Sequence, residues 1–297
     1  RSPAAQAGPA TARMKRRTLL IAAAAALALP ARHRPVQVWE GRGLGTSLSL
    51  RLSGATAADM ALLAPKIAAE VAHVEQIASL QADSELVRLN ATGRTDWPSD
   101  GLLELLHLSA AVHRATGGAF DPTVQPLWLA EATGGDLKAA RAAVGWERVR
   151  FDARQVRLDP RQALTLNGIA QGWAADRIAG LLARHGFSAA LINMGEFRAE
   201  GGPWRAAIAD PDGTVLGQTT LRQSALAVSS PMGTRIGPGL AHIIGPRGQA
   251  PRWQTVAVAA PQAALADALS TAFCLMDRDA IAAALDSYPC ATLTLAA

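Results

Sequence analysis

The spacing of apolar residues divides the chain into helices and strands that interleave without a strict period. Leu48, Leu50 and Leu52 recur at every second position of residues 46–52, which predicts a strand with one buried face. Over residues 55–80 the period becomes helical, with Ile67, Val71, Val74 and Ala78 on one stripe. A second helix is predicted over 102–115, opened by Ser99-Asp100 and stopped by Gly117-Gly118. A short one follows at 137–144, with Asp136 as N-cap and Gly145 after its end. Another begins at Ile169, with Ala174, Ile178, Leu181 and Leu182 at helical spacing, and two more occupy 262–276 and 278–285. A strand–turn–strand is predicted around 149–166, and single strands at 189–193, 204–209, 226–228, 242–244, 255–259 and 291–295. Residues 32–42 read as a polar, extended lead-in, 84–90 as a short polar segment, and 230–240 as a Gly- and Pro-rich surface or active-site loop. No repeat or long linker interrupts the pattern, which predicts one α+β unit rather than a doubly wound fold.

Composition changes this picture little. With 297 residues, 49% of them hydrophobic, the chain can build a sizeable core. The formal charge of +5 is local: Arg1, Arg13, Lys15, Arg16 and Arg17 lie within the first 31 residues, and the remainder carries 24 basic against 24 acidic residues. Without a basic patch interleaved with aromatics, nucleic acid is not an expected partner. Met14-Lys-Arg-Arg followed by the apolar run 19–29 has the layout of an export signal, with cleavage expected near residue 29 or 32. Residues 1–13 read as an upstream artefact, and Arg16-Arg17 raises the twin-arginine route to the periplasm. The run falls short of a membrane span, so an uncleaved anchor is the lesser alternative. The exported body is then residues 32–297. Cys274 and Cys290 lie in no metal-binding spacing and are expected to be buried free thiols rather than a disulfide.

Two segments carry candidate chemistry. Asn167-Gly168 leads into a helix whose free N–H groups and dipole suit phosphate oxygens. Asp267 and Thr271 lie four residues apart, on one face of another helix, and offer the oxygen ligands that hard cations prefer. Asp267 is the only charged residue in the apolar stretch 263–276, which points to a function for it.

Several segments together resemble the ApbE family of FAD:protein FMN transferases, in the family's order, over residues 38–296. They are Leu44-Gly-Thr46, Asp83-Ser-Glu-Leu-Val-Arg-Leu-Asn90, Gly117-Gly-Ala-Phe-Asp-Pro-Thr-Val124, Pro126-Leu-Trp128, Asn167-Gly-Ile-Ala-Gln-Gly-Trp-Ala-Ala-Asp176, Asn193-Met-Gly-Glu-Phe-Arg-Ala199, Ser229-Ser-Pro-Met-Gly-Thr234, His242-Ile-Ile-Gly-Pro246 and Ala266-Asp-Ala-Leu-Ser-Thr271. The resemblance implies a single compact T-fold-like domain with mixed sheets and packed helices, either monomer or homodimer. It implies transfer of FMN from FAD to a Thr or Ser hydroxyl of an acceptor flavoprotein in a membrane redox complex, with Mg²⁺ present and AMP leaving. The metal ligands would be the Gly168 carbonyl and the side chains of Asp267 and Thr271. Ala119, Phe120 and Asp121 would border the adenine, with Leu44, Leu80, Thr165 and Gln171 at further cofactor positions. Gly172 would let helix and ligand approach closely, and His242 would be the general base. The sequence departs from the family pattern at Leu44, Leu80, Thr165, Gln171 and, beside the base, Gly245, where an Asp is usual. A flavin-binding or delivery protein that has lost transfer, and a metal-dependent FAD pyrophosphatase, are the alternatives these departures leave open.

Overall fold

The computed structural model describes residues 35–81, 83–237 and 239–297, so the expected export signal lies outside the described residues. The first half runs β1 (Val36–Gly43), β2 (Thr46–Ser53), α1 (Ala57–Ala78), α2 (Glu85–Thr92), β3 (Arg94–Asp96), α3 (Asp100–Ala115), α4 (Gln125–Thr133) and α5 (Leu137–Ala143). It continues through β4 (Arg150–Phe151), β5 (Gln155–Arg157), α6 (Ala170–Arg184), β6 (Ala190–Asn193), β7 (Phe197–Glu200), β8 (Trp204–Ala209) and β9 (Val215–Leu221). The last part holds β10 (Ser224–Ser229), β11 (Arg235–Ile236), β12 (Leu240–Ala241), β13 (Val256–Ala260), α7 (Ala263–Phe273), α8 (Arg278–Asp286) and β14 (Thr292–Ala296).

The central sheet has seven strands in the order β1-β2-β6-β7-β10-β13-β14. Every strand pair among the described residues is antiparallel, so the sheets are not mixed; the chain returns through hairpins or reverses direction after each helix. Alternation along the strands gives the sheet two buried faces. Leu50, Ile192, Ala227 and Val258 face the main core beneath α1, α6 and α7, while Ala199, Leu226 and Ala257 face a smaller core closed by the β8–β9 ribbon. Burial on both sides explains the near-continuous apolar runs of β10 and β13.

Helices α6 and α7 pack on each other, and the contact depends on Gly172. A Cβ there would lie 2.2 Å from the Ala263 carbonyl oxygen, inside any tolerated contact. The close approach that sequence reasoning assigned to a ligand is therefore made to the backbone of α7. Asp176, one turn further along α6, accepts the N–H groups of Ala263 and Ala264 (2.9 Å each) and so caps α7 from outside its own sequence. We expect Gly172→Ala to cost about 3 kcal/mol, the upper range for overpacking, because a backbone carbonyl cannot yield as a side chain does. Urea unfolding measures it, and an unchanged midpoint would contradict the packing described.

The structure adds elements that periodicity did not reveal. The segment expected to be merely polar is α2, capped by Ser84 and burying only Leu86 and Leu89, too few to mark a period. Helix α4 begins at Gln125-Pro126, where proline is tolerated because the first-turn N–H has no helical partner. Strands β3, β7 and β9 were also missed; β7 spans only four residues and β9 is exposed along most of its length. The strand expected at 242–244 does not form: this segment bends as His242 is drawn onto the 230–234 loop. Cys274 is buried, its thiol pushed up to about 12 by burial, but Cys290 is exposed, contrary to expectation, and the two do not pair.

Candidate active site

The start of α6 meets the middle of α7, and here the sequence-predicted cation ligands come together. A Cβ on Gly168 would lie 3.0 Å from Thr271 Oγ1, a tight contact, so the Gly168 backbone lies close against that hydroxyl. Asp267, 3% exposed, lies one turn before Thr271 and accepts the Gly172 N–H through Oδ2 at 3.1 Å. Burial pushes its carboxyl up to about 7, against the pull of that hydrogen bond. Among the described residues no three His, Cys, Asp or Glu side chains gather as a metal cluster. A backbone carbonyl, one hydroxyl and few carboxylates nevertheless suit a hard cation that keeps water and phosphate oxygens among its ligands. The residues present fit Mg²⁺.

Serines and a second acid surround these ligands. Ser229 Oγ, at the end of β10, is 2.8 Å from Ser270 Oγ and 3.5 Å from Thr271 Oγ1, which fixes the hydroxyl edge of α7. Glu196, in the β6–β7 turn, accepts the Val228 N–H through Oε2 at 3.0 Å and is 7% exposed. Desolvation, and next the Asp267 charge, hold its carboxyl well above the usual range. Sequence reasoning quoted Glu196 within a motif and gave it no role; its place beside aromatic Phe197 in a short turn gave no sign of burial.

His242 belongs to the loop that leaves Ser229. Its Nδ1 lies 2.8 Å from the Pro231 carbonyl and 3.1 Å from that of Thr234. Carbonyls only accept, so Nδ1 carries the proton and Nε2 keeps its lone pair. Trp128 Nε1–H donates to the His242 carbonyl at 3.0 Å, holding the segment from the α4 side. Burial lowers the imidazole pKa, outweighing the two carbonyls. At Gly245 the space where a Cβ would lie is filled by the Gln249 side chain, 2.0 Å away, whose Oε1 accepts the Arg247 N–H at 2.9 Å. Gln249 is a flexible side chain that can turn aside, so Gly245→Asp alone should lower stability by about 1 kcal/mol at most, the low end of overpacking, and leave the transfer rate flat. Adding Gln249→Ala should restore the stability. Thermal melts and initial rates of the single and double variants check this, and a faster single variant at full stability would contradict the crowding.

The remaining predicted residues divide into two groups. Ala119 and Phe120 are buried in the main core, with the Phe120 N–H bonded to Thr116 Oγ1 and its carbonyl to His113 Nδ1. Of this trio Asp121 lines a pocket of about 420 Å³, together with His113, Arg141, Gly145 and Arg247. Its Oδ1 accepts from Thr123 N–H and Oγ1–H, and burial raises its carboxyl above the usual value. The Thr165 N–H bonds to the Pro122 carbonyl at 2.8 Å, which ties this block to the approach of α6. Its hydroxyl turns back to Asn167 N–H, and Asn90 clamps both backbone groups of Leu164. Gln171 donates to the Leu44 carbonyl at 3.0 Å and packs on Gly195, while Glu75 accepts the Leu44 N–H at 2.8 Å. Leu44 (φ 51°) and Gly45 (φ 78°) form the left-handed hairpin turn, so these two side chains hold a strained leucine against α1 and α6. Leu80 is half-buried against the main core.

The chain belongs to the ApbE family, whose model matches residues 44–293. An FAD:protein FMN transferase of Escherichia coli K12 is 27% identical over 270 residues, covering 80% of this chain and 77% of that protein. One from Klebsiella pneumoniae is 29% identical over 199 residues, and the chain spans 57% of its length. The flavin transferase ApbE of Vibrio cholerae superposes with a TM-score of 0.73 at 26% identity, over 85% of this chain and 91% of that one. The apo flavinyl transferase ApbE of Pseudomonas stutzeri shares the fold, with a TM-score of 0.75 at 23% identity, over 87% and 90% of the two chains.

Proposed function

We propose that this chain is an FAD:protein FMN transferase that uses Mg²⁺. The junction of Gly168, Asp267 and Thr271 at the start of α6 carries the reading, within a family whose curated members bear that name. Bound Mg²⁺ would draw negative charge from the pyrophosphate oxygens of FAD. The chain's own residues would do the rest. The N–H groups of Asn167, Ile169, Ala170 and Gly172, which the sequence suggested for phosphate, are taken by Thr165, Leu166 and Asp267, and the pocket beside Asp121, with Arg141 and Arg247, suits the AMP half. The acceptor hydroxyl oxygen attacks the flavin-side phosphorus while His242 Nε2 takes its proton. The bond from that phosphorus to the bridging oxygen breaks, AMP leaves, and FMN becomes a phosphoester of the acceptor. The positively charged and apolar amino-terminal run supports action in the periplasm, on an acceptor domain of a membrane redox complex.

The test mixes purified protein, FAD, Mg²⁺ and a candidate acceptor domain, then follows fluorescent flavin on a denaturing gel and AMP in solution. Covalent flavin with equal AMP supports the proposal. AMP release that does not need an acceptor would make the chain a pyrophosphatase, and FAD binding without AMP release a flavin-delivery protein.

A further inference from the structure

Glu196, in the β6–β7 turn, lies near enough to Asp267 of α7 for the Asp267 charge to raise its carboxyl pKa, and Gly195 beside it packs on Gln171 at the start of α6. The hydrogen bond from Val228 N–H to Glu196 Oε2 places this carboxyl one residue from Ser229, whose hydroxyl touches Ser270 and lies 3.5 Å from Thr271. Each carboxylate has one oxygen bonded to a backbone N–H, from Gly172 and Val228 respectively. Among the described residues the other oxygens, Asp267 Oδ1 and Glu196 Oε1, accept no hydrogen bond, and neither residue has a Lys, Arg or His ion-pair partner. As a charged pair, two acids this buried repel each other and cost folding free energy unless one takes up a proton or a positive charge lies near them. Among the described residues no cation pairs with either acid, whereas the Gly168 backbone and the Thr271 hydroxyl lie at the same junction.

We infer that Glu196 is a second carboxylate of the divalent-cation site, supplying half of the negative charge that holds the ion. This rests on the proposed Mg²⁺ site and deepens it. The site then has the charge to bind a divalent ion before the pyrophosphate arrives, instead of relying on a single acid. Glu196 also holds a different strand: its bond partner Val228 precedes Ser229 in β10, so ion binding would fix the end of β10 from which the His242 loop departs. Ligand identity would thereby be coupled to base position through two residues of backbone.

The experiment is Mn²⁺ binding by the full chain, read from the electron paramagnetic resonance of free Mn²⁺ with and without FAD. Wild type should bind, and Asp267→Asn should lose most of the affinity. Glu196→Gln keeps the acceptor for Val228 N–H and removes only charge, so its Kd should rise about 10- to 100-fold, the range for groups supporting a metal site. Glu196→Asp should recover part of that loss. A Glu196→Gln protein that folds and binds Mn²⁺ like wild type, while Asp267→Asn does not, overturns the role of Glu196 and leaves the metal site standing. Absence of binding by wild type overturns both. Should Glu196→Gln alone not fold, the comparison moves to Asp267→Asn against Asp267→Asn/Glu196→Gln, where carboxylate repulsion is already gone. A further fall in affinity in the double variant supports the inference, and an equal Kd overturns it.

Discussion

Asp267→Asn is expected to reduce Mg²⁺-dependent flavin transfer on the order of 10²–10³-fold, the equivalent of a few kcal/mol of charge stabilisation at the phosphorus. Asparagine keeps the shape and still accepts the Gly172 N–H, so the α6–α7 contact should survive. The wild-type carboxylate is buried without an ion-pair partner among the described residues, and burial, with the nearby Asp176 charge, disfavours its charged form, a cost that asparagine does not carry. The metal-free variant should therefore melt no lower than metal-free wild type. Loss of Mg²⁺ dependence with retained stability separates a ligand from a structural acid. A variant with a normal Mg²⁺ titration would remove Asp267 from the site, and a variant that melts far lower would make it a packing residue.

His242→Gln should lower the transfer rate about 10²–10⁴-fold, the span for a positioned acid–base group, with little change in FAD affinity. The wild-type pH profile gives an independent check. Burial depresses the imidazole pKa, so at neutral pH the ring is already the free base. Activity should then fall only on the acid side, with an apparent midpoint below the ordinary histidine value of 6.5. The stability effect has the same sign. A folded-state pKa below the unfolded one means the unfolded chain binds more protons, so His242 favours folding above pH 6.5 and progressively less below it. A rate profile flat from pH 5 to 8, or an acid limb that persists in His242→Gln, would assign the base elsewhere.

Local pattern was enough for the long elements. Helices α1, α3, α6 and α7 each repeat an apolar stripe over three or more turns, and β2 alternates cleanly, because burial on one side of an element imposes its period on the sequence. The pair Asp267 and Thr271 was legible for a related reason: an acid in an apolar helix stands out, and four residues make one helical turn. Elements that bury two residues or fewer, such as α2, leave no period to read.

The sequence by itself determined the α+β class, the principal helices and the i, i+4 spacing of Asp267 and Thr271. It also identified, through ordered motifs, a resemblance that the family match across residues 44–293 bears out. Tertiary structure decided the rest, because the deciding quantities are distances between residues far apart in the chain. Gly172 proved to serve α7 at 95 residues' separation from Asp267, and Phe120 went to the core while Asp121 next to it lines a pocket. Gln249 occupies the space over Gly245, the position at which the family resemblance led to the expectation of an acid. Glu196 is the clearest case. Its sequence neighbours are those of any surface turn, and only the packing of β7 against β10 beneath α7 takes its carboxyl out of water and sets it against Asp267. Burial and like-charge proximity are properties of the folded neighbourhood, and no local pattern encodes them.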